Sequence, residues 1–296
     1  MLRRNFSRAV FAMMVLSPTT FSVSAHAADY DPDTLKVALL PDEDAATIIQ
    51  DNKPLADYLQ SKLGKKIELV VTTDYSSMIE AMRFGRIDLA YFGPASYTIA
   101  KDKMAGAKLD IEPFAARLKG GSTTYQSVLI ANAEKGPKSI AAIKKSGMDI
   151  AFGDPASTSS HFAPKFTLLK AGVADKMDYK SNFLGAHDAV AVNVQRGNAP
   201  AGGLSRVIFE RLLEKGTIDK AKVNVLGYSA DIPQYPWVMR TDLKANVQQT
   251  VKEAFYGLKK GTPEGDAVLK PFKADGFAAI TDKDYDIIRD IRKSVK

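Results

Sequence analysis

The 296-residue chain contains no cysteine, which excludes disulfides, thiol chemistry and lipid attachment through a thiol. Histidine is scarce as well: His26 lies in an N-terminal leader, leaving only His161 and His187. Two imidazoles without a thiol are too few for a transition-metal site, so neither a metal nor any other cofactor is expected. No repeat or low-complexity segment occurs. Basic residues are dispersed among acids instead of clustered, which speaks against nucleic acid. A G-x-S-x-G elbow is missing, and His187 and Asp188 are sequence neighbours, a poor geometry for an acid that must orient that imidazole. Catalysis therefore has little support, and the chain is not read as an enzyme.

The composition is ordinary for a globular protein, 45% hydrophobic and 25% charged, and the length suits two medium domains. Residues 1–27 stand apart. Arg3, Arg4 and Arg8 precede an apolar run from Ala9 to Leu16, and Ala25-His26-Ala27 is a small-x-small cleavage site. This pattern predicts a signal peptide, since the run is too short to span a bilayer and no stop-transfer stretch follows. Its removal would lower the net charge from +7 to +4 and deliver the protein to the periplasm. A modest positive balance suits an anionic ligand.

From Leu35 to Met104, apolar strands alternate with amphipathic helices, as expected for parallel β-α units. Pro54 predicts a break in the first helix, and Asp74 caps the second, whose Met78, Met82 and Phe84 are read as core. A second series begins at Met148 and runs to Tyr228. A short helix is expected over Lys138 to Ser146. The tail keeps one strand, Trp237 to Arg240, and helices without a sheet of their own, so the second series reads as an insertion in the first. The expected organisation is residues 28–125 and 229–296 as one lobe and 126–228 as the other. Two extended crossings, near Tyr125–Ile130 and Val225–Trp237, would let the cleft between them hinge shut.

Three strand-to-helix turns carry unusual polar groups: Tyr91-Phe92-Gly93-Pro94, Ser157-Thr158-Ser159 and Gly185-Ala186-His187-Asp188. In open parallel sheets, ligands bind at such turns. Free N–H groups and the helix dipole at the Ser157 turn attract an anion; the plain alternative is a well-capped helix and nothing more, although three consecutive hydroxyls exceed what one cap needs. Tyr91 is read either as a core aromatic or as a wall facing these hydroxyls. Arg206 is read as a surface residue; pointed inward, it would favour a more highly charged anion.

In their order and spacing these residues resemble the phosphate, phosphite and phosphonate branch of periplasmic substrate-binding proteins, which serve ATP-driven importers. Asp74-Tyr75, Arg83 to Pro94, the hydroxyl turn, Gly185 to Asp188 and the ending Phe277 to Arg289 carry the resemblance over nearly the whole mature chain. It implies an α/β, type II two-lobed fold. Tyr91, Ser157, Thr158, Ser159, His187 and Asp188 would hold a tetrahedral phosphorus oxyanion. Lys36 to Glu43, Ser157 to His161, Ala201 to Ser205 and Gln234 to Trp237 are similar to the phosphite-binding subgroup. Tyr235 stands where aminoalkylphosphonate binders carry a carboxylate, so phosphite or a small phosphonate without an amine is the expected ligand. Phosphate or another oxyanion is the alternative. The implied partners are the permease subunits of an ABC importer, with the binding protein itself a monomer.

Overall fold

The computed structural model describes residues 29–295, so the expected leader lies outside the described residues. Thirteen strands are found in this range. They are β1 (Thr34–Leu39), β2 (Lys66–Val71), β3 (Leu89–Tyr91), β4 (Ile111–Leu118), β5 (Thr124–Tyr125), β6 (Ser127–Asn132), β7 (Met148–Phe152), β8 (Tyr179–Phe183), β9 (Ala201–Ser205), β10 (Val223–Tyr228), β11 (Ile232–Pro233), β12 (Pro236–Arg240) and β13 (Gly276–Ala279). One sheet has the order β13-β4-β12-β3-β1-β2 and the other β10-β6-β9-β7-β8. β5 and β11 form a two-stranded ribbon on the crossings, pairing Tyr125 with Ile232.

Each sheet has a parallel heart: β2, β1 and β3 in the first, and β8, β7 and β9 in the second. The remaining strands add antiparallel edges. The residues after β1, β2, β3, β7 and β8 therefore all emerge at carboxyl ends, where side chains are free to meet a ligand. Trp237 on β12 lies fully buried beside Tyr91 and Phe255, which roots the returning chain in the core of the first lobe.

Local chemistry explains most boundaries. The first helical stretch splits into Ala45–Asp51 and Lys53–Leu63, with Pro54 in the opening turn of the second piece, where its missing N–H costs nothing. Asp74 caps Tyr75–Arg83 by accepting from the Ser77 N–H at 2.6 Å. Only a single 3-10 turn, Ile140–Ile143, forms where a helix is expected over Lys138 to Ser146, because only Ile143 there is buried. Met78 and Met82 are core, but Phe84 is not. It sits one residue beyond the helix and is 63% exposed, with Arg83 and Arg86 against its ring. Gly85 turns the chain there at φ +65°, which lets Phe84 swing off the helical face.

The stretch Ala201-Gly202-Gly203-Leu204 lies in the central strand of the second sheet. Its glycines admit two helices at close range. A Cβ on Gly202 would fall 2.6 Å from Val190 Cγ1, and one on Gly203 would fall 2.5 Å from Pro164 Cγ. The helices so admitted, His187–Gln195 and Ala163–Lys170, follow the two polar turns of this lobe.

Candidate ligand-binding site

The hydroxyl turn follows β7. Ser157 opens a single π-type turn, Thr158–Phe162, which runs directly into the helix Ala163–Lys170. The three hydroxyls have three separate jobs. Ser157 Oγ accepts the Ser160 N–H at 3.1 Å, which is the capping role. Thr158 Oγ1 accepts the Ala95 N–H of the opposite lobe at 2.7 Å. Ser159 Oγ is buried and has no partner. The fourth hydroxyl, Ser160, is structural: it accepts the Gly153 N–H at 2.8 Å and donates to the Gly203 carbonyl at 2.5 Å. Accepting a bond leaves a hydroxyl proton free, so Ser157, Thr158 and Ser159 can all still donate.

His187 is fully buried at the start of its helix, and the Gly185 N–H ties this turn to the Gly153 carbonyl at 3.3 Å. Ser205 N–H donates to His187 Nδ1 at 2.9 Å, which places the ring proton on Nε2. Nε2 is buried without a partner, and burial pushes the imidazole down to about 3, so it is a neutral donor. Asp188 turns its carboxylate back onto the Ala189 N–H at 2.8 Å.

The opposing wall is aromatic. Tyr75 and Tyr125 are buried with unpartnered hydroxyls, the first beside Ser157 and the second beside Thr158 and Ser159. Tyr235 places its hydroxyl near Ser159 and packs its ring edge-to-face with Tyr125 and tilted against Tyr91, both at 5.3 Å between centroids. Tyr91 thus stands behind Tyr235, wedged against Trp237 and Phe272. Burial raises all four tyrosines, most strongly Tyr75 and Tyr235, keeping them protonated as donors.

Buried polar groups left unpaired cost free energy, so native proteins rarely gather several. Ser159, Tyr75, Tyr125 and His187 present such groups together, all neutral and all able to donate. The arrangement suits an anion with several oxygens, stabilised by hydrogen bonds and the helix dipole without a matching cation.

Next to the cluster lies a cavity of about 90 Å³, lined among others by Asp42, Tyr91, Arg117, Tyr125, Arg211 and Tyr235. Arg117 is buried and reaches the Phe272 carbonyl at 2.9 Å. Arg211 forms an ion pair with Glu43 across the cleft and donates to the Pro271 carbonyl at 3.2 Å. Arg206 points away: it pairs with Glu210 at 2.7 Å, bonds Gln126 and covers Tyr228.

The sequence singles out the hydroxyl turn and His187 as candidates; the structure sets Asp42, Tyr75 and Tyr125 beside that turn, residues to which the sequence pattern assigns no site role. Each follows or ends a strand at the cleft, so the carboxyl-end rule applied to β1 and β2 as well as β3 points to the first two. Tyr125 needs the ribbon geometry. His161 is buried among Phe152, Phe162 and Phe183, with Nδ1 at 2.7 Å from the Pro155 carbonyl. Among the described residues no acid–histidine group could hold a metal ion, and no helix is long and apolar enough to cross a membrane.

The model of the family described as "ABC transporter, phosphonate, periplasmic substrate-binding protein" matches residues 37–285. The chain is 29% identical over 279 residues to the phosphate-import protein PhnD of Mycolicibacterium smegmatis, covering 88% of this chain and 85% of that one. It is 26% identical over 268 residues to the phosphonates-binding periplasmic protein of Escherichia coli, covering 88% and 77%. The solved structure of PhnD1 from Prochlorococcus marinus in complex with methylphosphonate superposes with a TM-score of 0.80 at 22% identity, covering 89% of this chain and 98% of that one. With a type II fold and a match over most of its length, this chain belongs to the periplasmic substrate-binding proteins of phosphonate ABC transporters, a family of transport proteins and not of enzymes.

Proposed function

We infer that the protein captures phosphite or a small phosphonate in the cleft and delivers it to the permease subunits of an ABC importer. Residues 126–228 close as one lobe onto the lobe made of 28–125 and 229–296. The observation that carries this reading is the set of buried, unpartnered, neutral donors at Ser159, Tyr75, Tyr125 and His187. Ser157, Thr158 and Ser159 hold the phosphorus-bound oxygens, with His187 Nε2 donating from the adjoining turn. Tyr235, backed by Tyr91, walls the remaining vertex, and Asp188 fixes the start of the His187 helix. A P–H or P–CH3 group can sit against the tyrosine rings, whereas the extra hydroxyl of phosphate must find an acceptor or lose about 1–3 kcal/mol. A leader over 1–27 and relatives named as periplasmic support a periplasmic location, where the protein works as a monomer.

Phosphate is the second reading, favoured by the name of the M. smegmatis relative. Calorimetric titration of the mature protein with phosphite, methylphosphonate, phosphate and sulfate separates the two. Tighter binding of phosphite or methylphosphonate than of phosphate is expected. Equal affinity for phosphate and phosphite would overturn the ligand assignment.

A further inference from the structure

The groups gathered around Ser159 are neutral donors, yet a carboxylate stands among them. Asp42 follows β1 and is held from both lobes: its N–H bonds the Leu40 carbonyl at 2.9 Å, and its own carbonyl accepts the His187 N–H at 3.0 Å. Its carboxyl lies beside the Tyr235 hydroxyl, and its charge reaches Tyr75, Tyr91 and Tyr125. Although the residue as a whole is only half-buried, loss of water is the largest influence on the carboxyl and pushes it up to about 6.

Other charges face it from each neighbouring element. Arg211 attracts it, but that cation is already shared with Glu43. Asp188 repels it from the His187 helix, and His187 itself is neutral. Arg117 on β4 lines the same cavity and donates to the Phe272 carbonyl. No cation is thus devoted to Asp42 alone, and a fully ionised oxyanion beside it would be repelled. A single proton between the two turns repulsion into a charge-assisted hydrogen bond. Phosphonates and phosphite keep such a proton near neutral pH, whereas sulfonates and sulfate do not.

We propose that Asp42 selects phosphorus over sulfur oxyanions by accepting the one proton that a phosphonate or phosphite retains and a sulfonate lacks. This rests on the functional reading above. Methylphosphonate and methanesulfonate, nearly equal in shape, are titrated at pH 7 against the native protein and Asp42→Asn. The native protein is expected to prefer methylphosphonate by roughly a hundredfold, and Asp42→Asn to narrow that preference by roughly tenfold or more, mainly by gaining methanesulfonate. A second measurement needs no variant. Above the second ionisation of methylphosphonic acid, calorimetry in two buffers of different ionisation enthalpy is expected to show uptake of close to one proton on binding. An unchanged preference in Asp42→Asn, binding without proton uptake, or a variant that loses only 2-aminoethylphosphonate (which would make Asp42 an ammonium partner) overturns the proposal. A native protein that binds neither methylphosphonate nor phosphite overturns the functional reading instead.

Discussion

The serines at 157, 159 and 160 look interchangeable in sequence, but their hydrogen bonds separate them. Ser159→Ala removes a hydroxyl with no partner in the protein, so the ligand-free fold is expected to keep its stability while affinity for phosphite falls roughly tenfold to a hundredfold, the worth of a charge-assisted bond of about 1.5–3 kcal/mol. Ser160→Ala does the opposite, removing the hydroxyl's bonds to the Gly153 N–H and the Gly203 carbonyl and lowering the melting temperature. Thermal unfolding and titration of both variants check the contrast. Acid sensitivity belongs to this scale too. His187 and His161 are held down to about 3 and about 4 from 6.5, so the unfolded chain takes up their protons first and stability is lost as pH falls below about 6.5. Asp42, raised from 3.8 to about 6, opposes this between about pH 4 and 6, since it gains a proton first in the folded state. Two histidines outweigh one carboxylate, so the ligand-free melting temperature is expected to drop on acidification from pH 7 to 5. His161→Gln is expected to give a shallower slope.

At the level of elements, the strand-and-helix alternation was legible because apolar periodicity and caps such as Asp74 act locally. What escaped was set by distant contacts. β13 is four residues long and exists only by pairing with β4, and β3 shrinks to Leu89–Tyr91 from the longer apolar run Ile87 to Phe92. The hydroxyl turn was legible as a strand-to-helix cap with a surplus. Tyr75 and Tyr125 were not, since a tyrosine after a cap or on a crossing looks like packing until the opposing lobe is in place. Gly203 links this scale to the site: Gly203→Ala pushes on Pro164, and with it the helix that carries the hydroxyl turn. Such overpacking costs about 1–3 kcal/mol. Weaker phosphite binding together with a lower melting temperature is expected in the same two assays, and unchanged values in both would show that the strand can yield.

The whole molecule is drawn shut by bonds that cross the cleft. Ala95 N–H donates to Thr158, Tyr75 N–H to Asp154 at 3.2 Å and His187 N–H to Asp42, while Arg211 pairs with Glu43 at the edge. Three of these four use backbone N–H groups at or near helix starts, so closure and ligand binding draw on the same turns. Arg211→Ala frees Glu43 and the Pro271 carbonyl and is expected to speed phosphite release about tenfold with little change in association, as closed-state contacts act on dissociation. Stopped-flow displacement reads this directly, and an unaltered release rate would remove the ion pair from the closure. The account stands most directly on where the phosphorus atom sits. A crystal structure of the mature protein with phosphite is expected to place its oxygens within hydrogen-bond distance of Ser159 Oγ, Tyr125 Oη and His187 Nε2. An anion found instead beside Arg117, with those donors still unpartnered, would contradict it.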